Sequence, residues 1–170
     1  MFWNFGGTRR ITESLANQTI GAQSIIFRVF RELFDADPSS IRKLELTYFA
    51  AATVDYAFTA WGRSRKKDRV TRDFIEIVVS KSLPHAGESV SLSQALSEYA
   101  LRRREYFRLI ALIVGERSSS SGSPEVTLAM HVFETVTNSS AEGRMVRIAA
   151  SGPAIAQLIV DNADFVKTQL

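Results

Sequence analysis

Residues 39–61 read SSIRKLELTYFAAATVDYAFTAW, and the way this stretch winds decides the fold. At about 100° per residue, Ile41, Leu44, Tyr48, Ala52, Asp55 and Thr59 fall on one side of a helix, and Leu46, Ala50, Val54, Ala57 and Trp61 on the other. The helix is therefore apolar all round. A single neighbour covers only one stripe, so such a helix is stable in water only when several others enclose it. The stretch predicts the central helix of an all-α, single-domain antiparallel bundle of five to seven helices.

Upstream, Pro38 disfavours helical backbone at Asp37 and separates the central helix from an earlier one. That first helix is expected from Arg9 toward Phe34, capped by Thr8 and bent near Gly21. Its second half sets Ile25, Ile26, Val29 and Phe30 on one face, with Arg28, Arg31 and Glu32 outside. Residues 1–7 form a flexible aromatic arm in this reading, because Gly6 and Gly7 uncouple Phe2, Trp3 and Phe5 from the bundle domain at 8–170.

Downstream, Gly62 closes the central helix, Asp68 caps a third over 69–83, and Pro84 stops it. Ser91 with Gln94 is a capping-box signature for a fourth helix over 92–114, whose apolar stripe carries Arg103 in its middle. The Ser-rich residues 115–123 read as a mobile loop, and Ser123-Pro124-Glu125 as the start of a fifth helix over 124–137. A short helical piece over 141–150 is expected to break at Ser151-Gly152-Pro153, before a last helix over 153–169.

Composition removes several function classes. With 170 residues and 45% hydrophobic content the chain builds a full core unaided, and with no Cys it has no disulfide, thiolate metal site or thiol nucleophile. The N-terminal order, aromatics before the Arg pair, is the reverse of an export signal, and no apolar run reaches the roughly 20 residues of a membrane span. These features predict a cytoplasmic protein with no transmembrane segment. No cofactor motif is present.

Four signals could carry function. Asp55 and Arg103 each interrupt an apolar stripe, and a buried ion pair between them is the economical reading. A catalytic pocket beside Asp55 would instead be lined by Tyr48 and Tyr56, near Glu45, with Arg103 turned away. Glu45 lies ten residues from Asp55, about 15 Å along the axis, too far for paired-carboxylate chemistry. His85 and His131 both precede a Glu by three residues and read as surface histidines; no metal site or catalytic motif supports an enzyme.

The third signal is a basic segment over 63–72, where Arg63, Arg65, Lys66, Lys67, Arg69 and Arg72 face a single acid, Asp68. Such a run can follow a phosphate backbone, so nucleic acid or another polyanion is one expected partner. The fourth is the aromatic arm with Phe27 on the first helix. Exposed aromatics mark protein contacts, so the leading expectation is a non-enzymatic protein that self-associates or docks on a protein partner through Phe2, Trp3, Phe5 and Phe27.

Overall fold

The computed structural model describes residues 5–32, 36, 37, 39, 41–61, 67–87, 89–115 and 123–169. Among them are six helices: α1 Phe5–Glu32, α2 Lys43–Trp61, α3 Lys67–Ala86, α4 Leu92–Val114, α5 Pro124–Thr137 and α6 Met145–Gln169. The described residues contain no strand, and the fold is an all-α bundle. Among the described residues no helix is long and apolar enough to cross a membrane.

Helix α2 sits at the centre, where it touches each of the other five helices. Every residue from Leu44 to Phe58 except Tyr56 is buried. Leu46, Phe49 and Val54 point in different directions from its axis, yet all are 0% exposed. Enclosing a side chain of this size contributes about 1.5–3 kcal/mol, which makes α2 the largest single source of core burial.

The outer helices each bring one stripe to it. On α1 the stripe runs from Thr12 through Leu15, Ala16, Thr19, Ala22 and Ile26 to Phe30. Ile25, expected inside, is 54% exposed, because the buried stripe follows Ile26 and Phe30 one position later. A polar thread crosses the core where α1, α2 and α6 meet. Gln18 Nε2 donates to Asn162 Oδ1 at 3.1 Å, and Asn162 Nδ2 donates to Thr53 Oγ1 at 2.7 Å.

Three departures from the sequence reading bear most on the fold. The first is α1, which begins at Phe5, so Gly6 and Gly7 lie within its first turns and do not uncouple it from an arm over 1–7; residues 1–4 lie outside the described set. A second is α3, which continues through Pro84 to Ala86. A proline in a last turn forfeits a single backbone bond, and the helix ends at Gly87, whose φ of 73° suits glycine.

The third is the expected break at Ser151-Gly152-Pro153, which does not occur: α6 is continuous. Pro153 and Ala149 are both exposed, so water can take the Ala149 carbonyl that the proline leaves without a donor. Ser151 and Gly152 are instead a seat for α5. A Cβ on Gly152 would stand 3.2 Å from the Glu125 backbone carbon, and Ser151 turns its hydroxyl back onto the Ile148 carbonyl at 2.7 Å.

Local signals hold at the starts of α4 and α5, whereas Thr8 and Asp68, expected as caps, lie inside α1 and α3, and α2 starts at Lys43. Ser91 Oγ accepts from the Gln94 backbone N–H, and Gln94 Oε1 accepts from the Ser91 N–H, closing the capping box that opens α4. Helix α5 starts at Pro124 and ends on Asn138, which takes the left-handed conformation with φ 50°.

Candidate functional site

The site is built on the one fully buried aspartate of α2. Asp55 is 0% exposed, and its carboxylate accepts four hydrogen bonds. Arg103 donates to it from Nε at 2.6 Å and from Nη2 at 3.2 Å, Tyr99 Oη donates at 2.7 Å, and Thr59 Oγ1 at 3.2 Å. Two bonds reach each oxygen, which matches the buried charge and leaves Asp55 an anchor with no idle base. Its hydrogen bond to Arg103 raises the guanidinium above its ordinary pKa. Burial, and then the Asp55 charge, hold the Tyr99 phenol well above the usual tyrosine range, so it stays a donor.

Neighbouring Arg102 turns the other way along α2. Its Nε meets Glu45 Oε1 at 3.1 Å, and Arg42 Nη1 reaches the same oxygen at 3.3 Å. Glu45 is 1% exposed, so α2 carries two buried carboxylates, each matched by an arginine of α4. Residues ten apart on α2, about 15 Å along its axis, are thus reached by consecutive residues of α4. The two helices cross, and the arginine side chains diverge from the crossing.

One side of that crossing opens into a groove of about 540 Å³ between α2, the first half of α3, and α4 from Leu96 to Arg103. Its floor is Asp55, Tyr99 and Arg103; Thr59 and Thr71 add hydroxyls, and Ile75, Leu96 and Ala100 an apolar wall. Lys67, Asp68, Arg72 and Glu76 line the α3 side. The catalytic arrangement weighed from sequence is absent here. Tyr48 and Tyr56 do not line the groove, and Arg103 is bonded to Asp55 rather than turned away. Tyr56 packs edge-on between Trp61 and Phe107, and Tyr48 donates to Glu98 Oε2 at 3.3 Å.

The basic segment contributes only in part. Lys67 and Arg72 line the groove, whereas Arg69 is exposed, 3.7 Å from Asp73, and stands outside it. Arg63, Arg65 and Lys66 lie outside the described residues, as do Phe2 and Trp3. Phe5 is described only as the first residue of α1. Phe27, read from sequence as a docking aromatic, is half-buried against the protein's own core. The buried face of α1 is wide enough to draw it inward.

A second polar cluster was missed by the sequence reading. His131 is not a surface residue: its side chain is 23% exposed, with Nδ1 3.5 Å from Glu105 Oε1 and its ring edge-on to Tyr106 at 5.7 Å. Burial lowers its pKa, against the opposing pull of Glu105. Leu128 and Val132 widen the buried face of α5 beyond the stripe through Phe133, and that brings His131 to the α4 contact. Burial likewise raises the Glu45 pKa, with Arg102 the main opposing charge. Among the described residues no group of three or more His, Asp or Glu is placed to hold a metal ion.

Compared with known proteins, this chain matches no family model, no curated protein and no solved structure. Its function is therefore to be sought in the geometry of its own side chains.

Breaking the Asp55 pair tests its weight. Arg103→Ala leaves the Asp55 charge buried with two neutral donors, and is expected to cost about 3 kcal/mol in urea denaturation, the low end for a buried pair because Arg103 is partly exposed. The Asp55→Asn, Arg103→Leu double variant should lose clearly less than its two single variants combined. Simple additivity would show that the two side chains are not energetically coupled.

Proposed function

We propose that this chain is a non-enzymatic binding protein whose groove between α2, α3 and α4 receives an anionic ligand with an apolar body. The setting of Arg103 carries the reading. Asp55 engages one edge of its guanidinium, and the Phe107 ring supports it 4.2 Å from the centroid. The side chain remains 39% exposed, at a groove also lined by Lys67 and Arg72. A guanidinium held flat, with further N–H groups beyond its carboxylate, suits a carboxylate or phosphate oxygen.

Because Asp55 is already matched, its charge does little to repel an anion. Asp68 and Glu76 limit the positive potential of the α3 side, which favours a ligand with one charged group over a polymer of phosphates. The apolar wall of Ile75, Leu96 and Ala100 suits an aryl or alkyl body, and the volume lies within the roughly 300–1,000 Å³ of small-molecule sites.

Calorimetric titration with aryl and alkyl carboxylates, phosphate monoesters, matched neutral alcohols and short oligonucleotides tests this. Anionic amphiphiles are expected to bind, and Lys67→Gln with Arg72→Gln should weaken them about tenfold, or 1.4 kcal/mol. Equal binding of the neutral alcohols, or no binding of any anion, contradicts the reading. Oligonucleotide binding alone, falling steeply with salt, would favour instead a polyanion interface through Arg63, Arg65, Lys66, Lys67 and Arg69.

A second reading is self-association, or docking on a protein partner, through the N-terminal aromatic segment and α1. Ile25, 54% exposed, gives that helix an apolar side chain facing outward. Light scattering on the full chain should then give a mass above the monomer, and both Ile25→Glu and removal of residues 1–4 should reduce it. Monomers throughout, with equal partner recovery in pull-downs by the full chain and both variants, would contradict it.

A further inference from the structure

Among the described residues, the buried side-chain polar atoms without a hydrogen-bond partner are Glu45 Oε2 on α2, Tyr106 Oη on α4 and His131 Nε2 on α5. Tyr106 packs between α2 and α5, the helices that carry the other two. Tyr106 meets the His131 ring at 5.7 Å and the ring of Phe49, one turn beyond Glu45, at 5.4 Å. Glu45 also exerts the largest charge effect on the Tyr106 hydroxyl. Buried polar atoms without partners are rare, and three on helices that meet at Tyr106 point to a partner they share.

The chemistry of the three atoms specifies that partner. Arg102 and Arg42 both take Glu45 Oε1, leaving Oε2 as an acceptor aimed away from them. Glu105 beside His131 Nδ1 favours a proton on that nitrogen, and burial favours the neutral ring, so Nε2 presents a lone pair. Burial, and then the Glu45 charge, keep the Tyr106 phenol protonated, able to donate one bond and accept another.

We infer that Glu45, Tyr106 and His131 enclose a site for one small hydrogen-bond donor, a water molecule or an ammonium ion, at the junction of α2, α4 and α5. Water donates to Glu45 Oε2 and His131 Nε2 and accepts from Tyr106; ammonium donates to all three. Glu45 and Asp55 sit about 15 Å apart on α2, so the site is separate from the groove and does not rest on the anion-binding reading.

The test is a pair of crystal structures of the full chain, grown with and without ammonium, together with NMR of the imidazole nitrogens. The site predicts one density peak within about 2.7–3.2 Å of all three atoms. A peak in both crystals identifies water, and one confined to the ammonium crystal identifies ammonium. No peak within that reach of all three atoms in either crystal would overturn the site. The NMR should show the neutral His131 ring with Nδ1 protonated and Nε2 accepting, and the ring losing its charge at a lower pH than a free imidazole. A proton on Nε2 of the neutral ring overturns it. Tyr106→Phe keeps the packing and removes one of the three contacts, so the Nε2 resonance should move; an unchanged resonance also counts against the site.

Discussion

Enclosing α2 on every side removes its polar side chains from water, and the rest of the structure answers that constraint. Thr47, Thr53, Glu45 and Asp55 are all buried, and each is met by a side chain of a neighbouring helix. Gln23 of α1 donates to Thr47 at 2.9 Å, Asn162 of α6 to Thr53, and Arg102 and Arg103 of α4 to the two carboxylates. An apolar helix could slide or rotate against its neighbours at small cost. One carrying these four groups cannot, because a shift leaves a buried charge or hydroxyl unpaired. The polar groups thus fix register, while the apolar ones supply most of the stability.

The groove arises from the same constraint. Arg102 and Arg103 serve anchors that lie far apart on α2, which holds α4 across it, and a crossing leaves wedges on either side. One wedge is filled by Tyr106 and by His131 of α5. The other, under the head of α3, is open and lined with both charges and apolar carbon. In the proposed anion-binding role, the side chain that anchors Asp55, Arg103, is also the one that the groove offers to a ligand.

How much of this was legible in the sequence depended on the range of the interaction. The apolar wheel of residues 39–61 and the Ser91 to Gln94 spacing act locally, and the structure has the central helix and the capping box they imply. Asp55 and Arg103 stand out as charges on apolar stripes, and the structure sets them 2.6 Å apart. Glu45 carries the same signal on α2, yet beside Arg42 and Lys43 it resembles part of an exposed first turn. Only the path of α4 buries it. Ser151-Gly152-Pro153 looks like a break by local rules, but the small residues are contact surface for α5 and the proline faces outward, facts of tertiary packing. His131 reads as a surface residue because the buried face of α5 is wider than its apolar stripe suggests. The groove has no local signature, since it is defined by three helices at once.

Native-state amide hydrogen exchange measures the enclosure of α2 most directly. If the five surrounding helices hold it as described, the amides from Leu46 to Phe58 are the slowest in the chain, exchanging together through global unfolding with a free energy equal to that from denaturant titration. Exchange of those amides through a smaller opening, at rates like those near the ends of α1 or α6, would contradict a central α2 and the anchoring built on it.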